Sequence, residues 1–199
     1  MARPREFEET AVLEAAMNCF WAHGYESTSV RDLAEEMGIT GASLYNAFGD
    51  KRALYQRALR HYLDESVHDR VRRLEKLPPF PALRAFFDEI IERSVSDKKH
   101  RGCMLVNSAI EVAPHDPKFR NVVAQELSYI ESFFERCTTA GQKDGTITTK
   151  QAAGDVAKLL LGVLLGIRVL ARTRPHREVL EGAAKTALAL LKVDARSPS

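Results

Sequence analysis

The chain has 199 residues, 45% of them hydrophobic and 28% charged. That balance excludes wholesale disorder, and the length allows one large domain or two small ones. The formal net charge of +2 and isoelectric point near 8.4 neither require nor exclude a nucleic-acid partner. Cys19, Cys103 and Cys137 are far apart and form no CxxC pair, which excludes a disulfide framework or a cysteine zinc site and fits a reducing compartment. The start, Met1 to Glu6, has no apolar signal core. The longest apolar run, Val156 to Leu170, is interrupted by Lys158 and Arg168 and is short for a membrane span. A cytoplasmic protein is expected, with no membrane partner, no cofactor, no metal site and no catalytic residue.

Apolar residues recur at spacings of three and four, and no run alternates as a strand does. Val12, Ala15, Ala16, Cys19 and Phe20 predict a first helix ending near Gly24. Val30, Leu33, Ala34 and Met37 predict a second, stopped at Gly38, and Leu44 and Phe48 a third, stopped at Gly49. A fourth starts near Asp50, carries Leu54, Ala58, Leu59 and Tyr62, and ends before the proline cluster Pro78-Pro79-Phe80-Pro81. Leu83 to Ile91 is helical, Ser96 to Arg101 a loop, and Cys103 to Val112 a short helix stopped by Pro114 and Pro117. Helices over Lys118–Ala140, Thr149–Thr173 and His176–Leu191 complete the chain, with a turn at Gly141–Gly145 and Pro175 between the last two. The expected fold is all-α with about nine helices. A three-helix, helix-turn-helix domain covers residues 1–55, a larger helical domain residues 56–194, and a disordered tail residues 195–199.

The segment Thr28 to Phe48 carries the functional signal. Thr28 or Ser29 is placed to cap a helix, with Asp32 favourable in its first turn. Ala34 is small where two helices cross, Gly38 suits the left-handed conformation that ends a helix, and Ile39 fills the corner. Thr40 caps the next helix. Leu44 and Phe48 then point inward, leaving Gly41, Ala42, Ser43, Tyr45 and Asn46 outward. Two short helices joined by a tight turn place the second in a major groove.

The string Leu33-Ala34, Met37-Gly38-Ile39-Thr40, Ser43-Leu44-Tyr45 and Phe48-Gly49-Asp50-Lys51-Arg52-Ala53-Leu54-Tyr55 resembles the N-terminal domain of the TetR family of bacterial regulators, densely over residues 8 to 60. Arg101-Gly102-Cys103-Met104-Leu105-Val106-Asn107-Ser108 is similar to one subgroup of that family. The resemblance implies a repressor bound to a double-stranded DNA operator. Thr28, Tyr45 and Lys51 would hold phosphates, which position the protein without reading sequence. Thr40, Gly41, Ala42, Ser43 and Asn46 would approach base edges, Asn46 as the adenine reader. Gly41-Ala42 departs from the family's common Lys-Gly and so removes a cation. Over the first sixty residues acidic side chains slightly outnumber basic ones, and Arg3 and Arg5 offer a minor-groove arm.

The resemblance further implies a homodimer built on the last two helices, for which Leu160, Gly162, Val163, Gly166, Ile167, Leu180, Ala184, Ala187, Leu188 and Leu191 are the candidates. It also implies a small apolar or electrophilic effector, with Phe86, Phe87, Met104, Asn107, Phe133, Phe134 and Cys137 as candidate lining. Cys103 follows Lys98, Lys99, His100 and Arg101 and precedes a helix, both of which favour a thiolate, so it is the candidate sensor. Two rival classes remain. One is a cysteine-dependent enzyme using Cys103, His115 and Asp116 at unspecific spacing; the other is a helical dimerisation module without DNA contact.

Overall fold

A computed structural model describes residues 3–193, with side chains from residue 9 onward. The arm expected at Arg3 and Arg5 concerns side chains outside that range, and the tail Ala195–Ser199 lies outside it altogether. The described residues contain helices and no strand. They are α1 (Arg3–His23), α2 (Val30–Glu36), α3 (Gly41–Phe48), α4 (Lys51–Leu63), a π-helical turn (Asp64–His68), α5 (Asp69–Leu74), α6 (Pro79–Ser96), α7 (Met104–Glu111), α8 (Pro117–Lys143), α9 (Ala153–Thr173) and α10 (Arg177–Ala189). With the continuous stretch from α4 through α5 counted once, there are nine helices among the described residues.

Local chemistry accounts for most ends. Gly24, at φ +86°, closes α1 by donating its N–H to the Phe20 carbonyl at 2.8 Å. Asp50 opens α4 by accepting from the Ala53 N–H at 2.7 Å. Pro79 sits in the first turn of α6, where its missing N–H costs nothing. In the π turn, Ser66 Oγ donates to the Tyr62 carbonyl at 2.5 Å, a side chain competing inside the helical ladder.

Two boundaries differ from expectation. Helix α8 runs through Gly141 to Lys143, and at Gly141 the Ile147 side chain packs so closely that an added Cβ would stand 2.5 Å from it. Helix α9 starts at Ala153 rather than Thr149. The residues before it are held as a loop by Gln142 Nε2, which donates to the carbonyls of Thr148 and Gln151, and by the Thr148 N–H on the Leu191 carbonyl.

The chain divides into two compact units, Met1–Val67 with Cys103–Val123, and His68–Gly102 with Ala124–Ser199. In the first unit α1 packs along α4, α2 packs on α1, α3 bridges α2 and α4, and α7 packs on α4. Its centre is aromatic. The Tyr55 ring meets Phe20 edge-on at 4.9 Å and lies 4.8 Å from Tyr25 and 5.5 Å from Phe119. Burial pushes the Tyr55 hydroxyl up to about 12. Because Ser108 Oγ donates its own proton to the Met104 carbonyl, Tyr55 donates to Ser108 across 2.8 Å. These packing units cut the chain differently from the functional division expected at residue 55, because Tyr55 and Tyr62 draw the distant residues Ser108 and Cys103 into the first unit. In the second unit α6, α9 and α10 pack on one another and α5 packs on α6. Phe86, Phe87, Phe133 and Phe134 fill its core at 0–1% exposure.

Candidate nucleic-acid interface

Three local devices fix the α2–α3 pair. Ser29 caps α2 in a reciprocal box, accepting from the Asp32 N–H at 3.1 Å while Asp32 Oδ2 accepts from the Ser29 N–H at 2.8 Å. The turn is a Schellman closure: Ile39 N–H reaches the Ala34 carbonyl at 3.0 Å, Gly38 N–H the Glu35 carbonyl at 3.1 Å, and Gly38 takes φ +64°. Thr40 then caps α3 by accepting from the Ser43 N–H at 3.1 Å. Leu33, Leu44 and Phe48 are buried beneath the pair. The consequence is an outward face on α3. Thr40, Ala42, Ser43, Tyr45 and Asn46 are exposed, Tyr45 at 53%, and Gly41 is half-buried.

Thr28 corrects one expectation. Ser29 caps α2, while the Thr28 side chain is 1% exposed and its hydroxyl donates to the Gly24 carbonyl at 2.6 Å. Thr28 therefore braces the α1–α2 corner from inside. Lys51 opens α4, with Nζ 4.4 Å from the Tyr25 ring centroid and 3.5 Å from the Glu26 carbonyl.

The cations on this unit divide into two groups. Arg57 pairs with Glu9 and lies over the Phe48 ring at 4.7 Å. Arg52 forks onto Asp116 at 2.5 and 3.0 Å. Held by Arg52 and by the N–H groups that open α8, the Asp116 carboxyl falls to about 2. No carboxylate partner is seen for Arg31, Lys51 or Arg60 among the described residues. An outward helix of short polar residues, flanked by Tyr45 and Lys51, can lie against a polyanionic groove and offer hydrogen bonds to its floor.

Comparison with known proteins agrees with this geometry. A model described as bacterial regulatory proteins, tetR family, matches residues 12–58, and one described as tetracyclin repressor-like, C-terminal domain, matches residues 79–187. The chain is a member of the TetR family. It is 30% identical over 196 residues to the uncharacterised HTH-type transcriptional regulator YezE of Bacillus subtilis (strain 168), covering 96% of this chain and all of that one. It is 28% identical over 190 residues to the HTH-type transcriptional repressor ComR of Escherichia coli (strain K12), covering 94% of this chain and 90% of ComR. Among solved structures, a cysteine mutant of the TetR family regulator CifR complexed with 26-bp operator DNA superposes with a TM-score of 0.82 at 31% identity, over 92% of this chain and 95% of that one. Like these relatives, this TetR-family chain is a DNA-binding transcription regulator.

The family's other expected sites are placed less simply. Leu160, Ile167, Leu180, Ala184, Ala187, Leu188 and Leu191 were expected at a dimer interface, but they are buried in the second unit's own core, where α6, α9 and α10 meet. The free face of α9 instead presents Leu159, Gly162, Gly166 and Val169, with Val163 half-buried at its margin. A Cβ added at Gly162 or Gly166 meets nothing within 4 Å. On α10, Gly182, Thr186, Ala189 and Leu190 are exposed.

The expected effector lining does not form one set. Phe86, Phe87, Phe133 and Phe134 close on one another with centroids 5.0–6.1 Å apart. Cys137 is buried in the second unit, which pushes its thiol up to about 11. Met104 and Asn107 are buried in the first unit. A groove of about 490 Å³ in the second unit lies elsewhere, lined by Phe80, Arg84, Ile91, Lys185 and Leu188 among others. Cys103 precedes α7 and is 6% exposed, with its Sγ accepting from the Tyr62 hydroxyl at 3.5 Å. Its sequence neighbour Arg101 is paired with Asp97. No helix among the described residues is long and apolar enough to cross a membrane.

Proposed function

We propose that the chain is a cytoplasmic homodimeric repressor, bound to a palindromic operator and released when a small effector binds or Cys103 is modified. Residues 1–55 read DNA, and residues 56–194 sense the effector and dimerise. The observation that carries this reading is the exposed face of α3, set by caps at both ends and flanked by Tyr45 and Lys51. Tyr45 and Lys51 anchor phosphates, while Thr40, Gly41, Ala42, Ser43 and Asn46 meet the bases. Thr28 contributes from inside, holding the corner from which α2 starts. The free faces of α9 and α10 support dimerisation, since exposed leucine and valine beside open glycines suit close contact with a second copy.

Release has a route within the first unit. Helix α7 and the start of α8 are tied to the DNA-reading part by Tyr55–Ser108, by Arg52–Asp116, and by Glu111, which accepts from the Tyr25 N–H at 3.0 Å. A group added to Cys103, in the subgroup-like stretch Gly102–Asn107, has no room beside Tyr62 and displaces α7 against α4.

A gel shift with DNA upstream of the chain's own gene tests the first part. Tyr45→Ala and Lys51→Ala should each weaken binding, and loss of the Lys51 ammonium should lower the log–log salt slope by about 0.9, while loss of the uncharged Tyr45 should leave the slope nearly unchanged. Unchanged binding in both variants sinks the operator assignment. Iodoacetamide at neutral pH tests the second part: if Cys103 labels no faster than in the denatured chain, the thiol route fails and the small-effector route stands alone.

A further inference from the structure

Arg168 interrupts the apolar run of α9 and has no part in reading DNA. It is 4% exposed. A guanidinium stays charged at any accessible pH and carries five N–H donors. Among the described residues it makes one hydrogen bond, from Nη1 to Ser94 Oγ at 3.1 Å. Ser94 is itself buried and gives its own proton to the Ile90 carbonyl at 2.7 Å. A neutral hydroxyl therefore answers one donor of Arg168 and none of its charge.

Further positive charge lies close by. Arg70 is 6% exposed, and burial followed by the nearness of Arg168 pushes its pKa down. Glu89 Oε2 accepts from Arg70 Nε at 3.0 Å and from Arg73 Nη2 at 3.0 Å, so one carboxylate is divided between two arginines. Arg73 also holds Asp69, which leaves that carboxylate engaged, and Arg93 adds a further positive field at Arg70. The Phe86 ring lies 5.6 Å from the Arg70 guanidinium carbon. Burying a charge without its counter-charge is expensive, and a folded protein keeps one where something else supplies the balance.

We infer that Arg168, positioned by Ser94, and Arg70 anchor the carboxylate of a small amphipathic effector whose apolar body lies toward Phe86. This rests on the reading of the second unit as effector-sensing and names the chemical class of what it senses. The fork of a guanidinium accepts a carboxylate through two parallel hydrogen bonds, and the apolar flank selects against fully hydrated anions such as chloride.

The test uses the full chain without DNA. In ligand-free buffer Arg168→Met should be at least as resistant to urea as the wild type, because an apolar group replaces an uncompensated buried charge. Hexanoate and benzoate should raise the wild-type Tm by a few degrees, while hexanamide, benzamide and sodium chloride at equal ionic strength should not. Arg168→Met should lose that response, and Arg168→Lys, which keeps the charge without the fork, should show a smaller one. A urea midpoint for Arg168→Met below wild type makes Arg168 a structural cross-link and overturns the inference. So does an amide response equal to that of its acid, or no carboxylate response at all. Operator binding by the ligand-free wild type is measured separately and tests the DNA reading alone. Carboxylate binding that leaves the operator complex intact overturns the effector role while leaving that reading in place.

Discussion

The outward face of α3 and the outward face of α9 are both exposed in a single chain, yet they are built on opposite rules. On α3, short polar side chains stand over a buried Leu44 and Phe48, and caps at both ends fix the helix's rotation. On α9, Leu159 and Val169 remain 44% and 46% exposed beside two glycines with open space around them. A polar face of this kind meets a hydrated, charged partner through hydrogen bonds. An apolar face with small residues gains only by excluding water against a surface like itself. The two faces therefore fail in different ways when altered, and that difference can be measured.

The largest effect is expected on α9. Gly166→Glu introduces a charge where a Cβ has open space, so the subunit should keep its fold, and Glu is the better helix former. In the proposed dimer the same carboxylate faces its own copy. Sedimentation should show a monomer, and operator affinity should fall by roughly 100-fold or more as bivalent binding is lost. A dimer of unaltered strength would move the interface to another face.

Next comes Leu44→Ala. Leu44 is fully buried, and its truncation should cost about 2–5 kcal/mol in a urea titration. The adjacent Tyr45→Ala removes an exposed ring and should move stability by no more than about 0.5 kcal/mol while weakening DNA binding. Equal destabilisation by the two would erase the distinction between the inner and outer sides of α3.

That distinction was legible in the sequence because it is local. Gly38, Thr40, Leu44 and Phe48 act within one turn of their neighbours, so spacing alone assigned their roles. The choice of cap was not legible. Thr28 and Ser29 are equivalent hydroxyls on paper, and the reach of Thr28 back to the Gly24 carbonyl decides between them. Nor was the first unit's claim on α7 legible, since Tyr55 and Ser108 stand 53 positions apart. On α9 the difficulty is different. Apolar residues run round most of the helix, so periodicity found the helix without telling Leu159, which is exposed, from Leu160, which is buried. It also gave no sign that Arg168 turns inward.

A smaller effect tests another contact of long sequence separation. The Asp116 carboxyl, lowered first by its hydrogen bonds from Arg52, titrates near 2 rather than near 3.8. A depressed carboxylate contributes stability that is present above its unfolded value and is lost as pH falls through the folded one. Asp116→Asn should therefore be less stable than wild type at neutral pH, with the gap closing between about pH 4 and 2. Parallel pH profiles would show that the Arg52–Asp116 pair contributes nothing to the stability of the first unit.

The smallest effect is a gain on α3. Gly41 stands where the family commonly places lysine, and a Cβ there meets nothing within 4 Å. Lysine in the first turn opposes the helix dipole by about 0.3–1 kcal/mol, while replacing glycine recovers a similar amount of helix propensity. Gly41→Lys should accordingly leave the urea midpoint nearly unchanged. If the face of α3 lies in a groove as proposed, the added ammonium makes one more phosphate contact and steepens the salt slope by about 0.9. The variant's advantage over wild type should then shrink about three- to four-fold between roughly 50 and 200 mM salt. A uniform gain at both salt concentrations would instead place the new side chain on the bases. An unchanged slope and affinity would put the amino end of α3 outside the DNA footprint, leaving Tyr45 and Asn46 in its second turn to carry the contact.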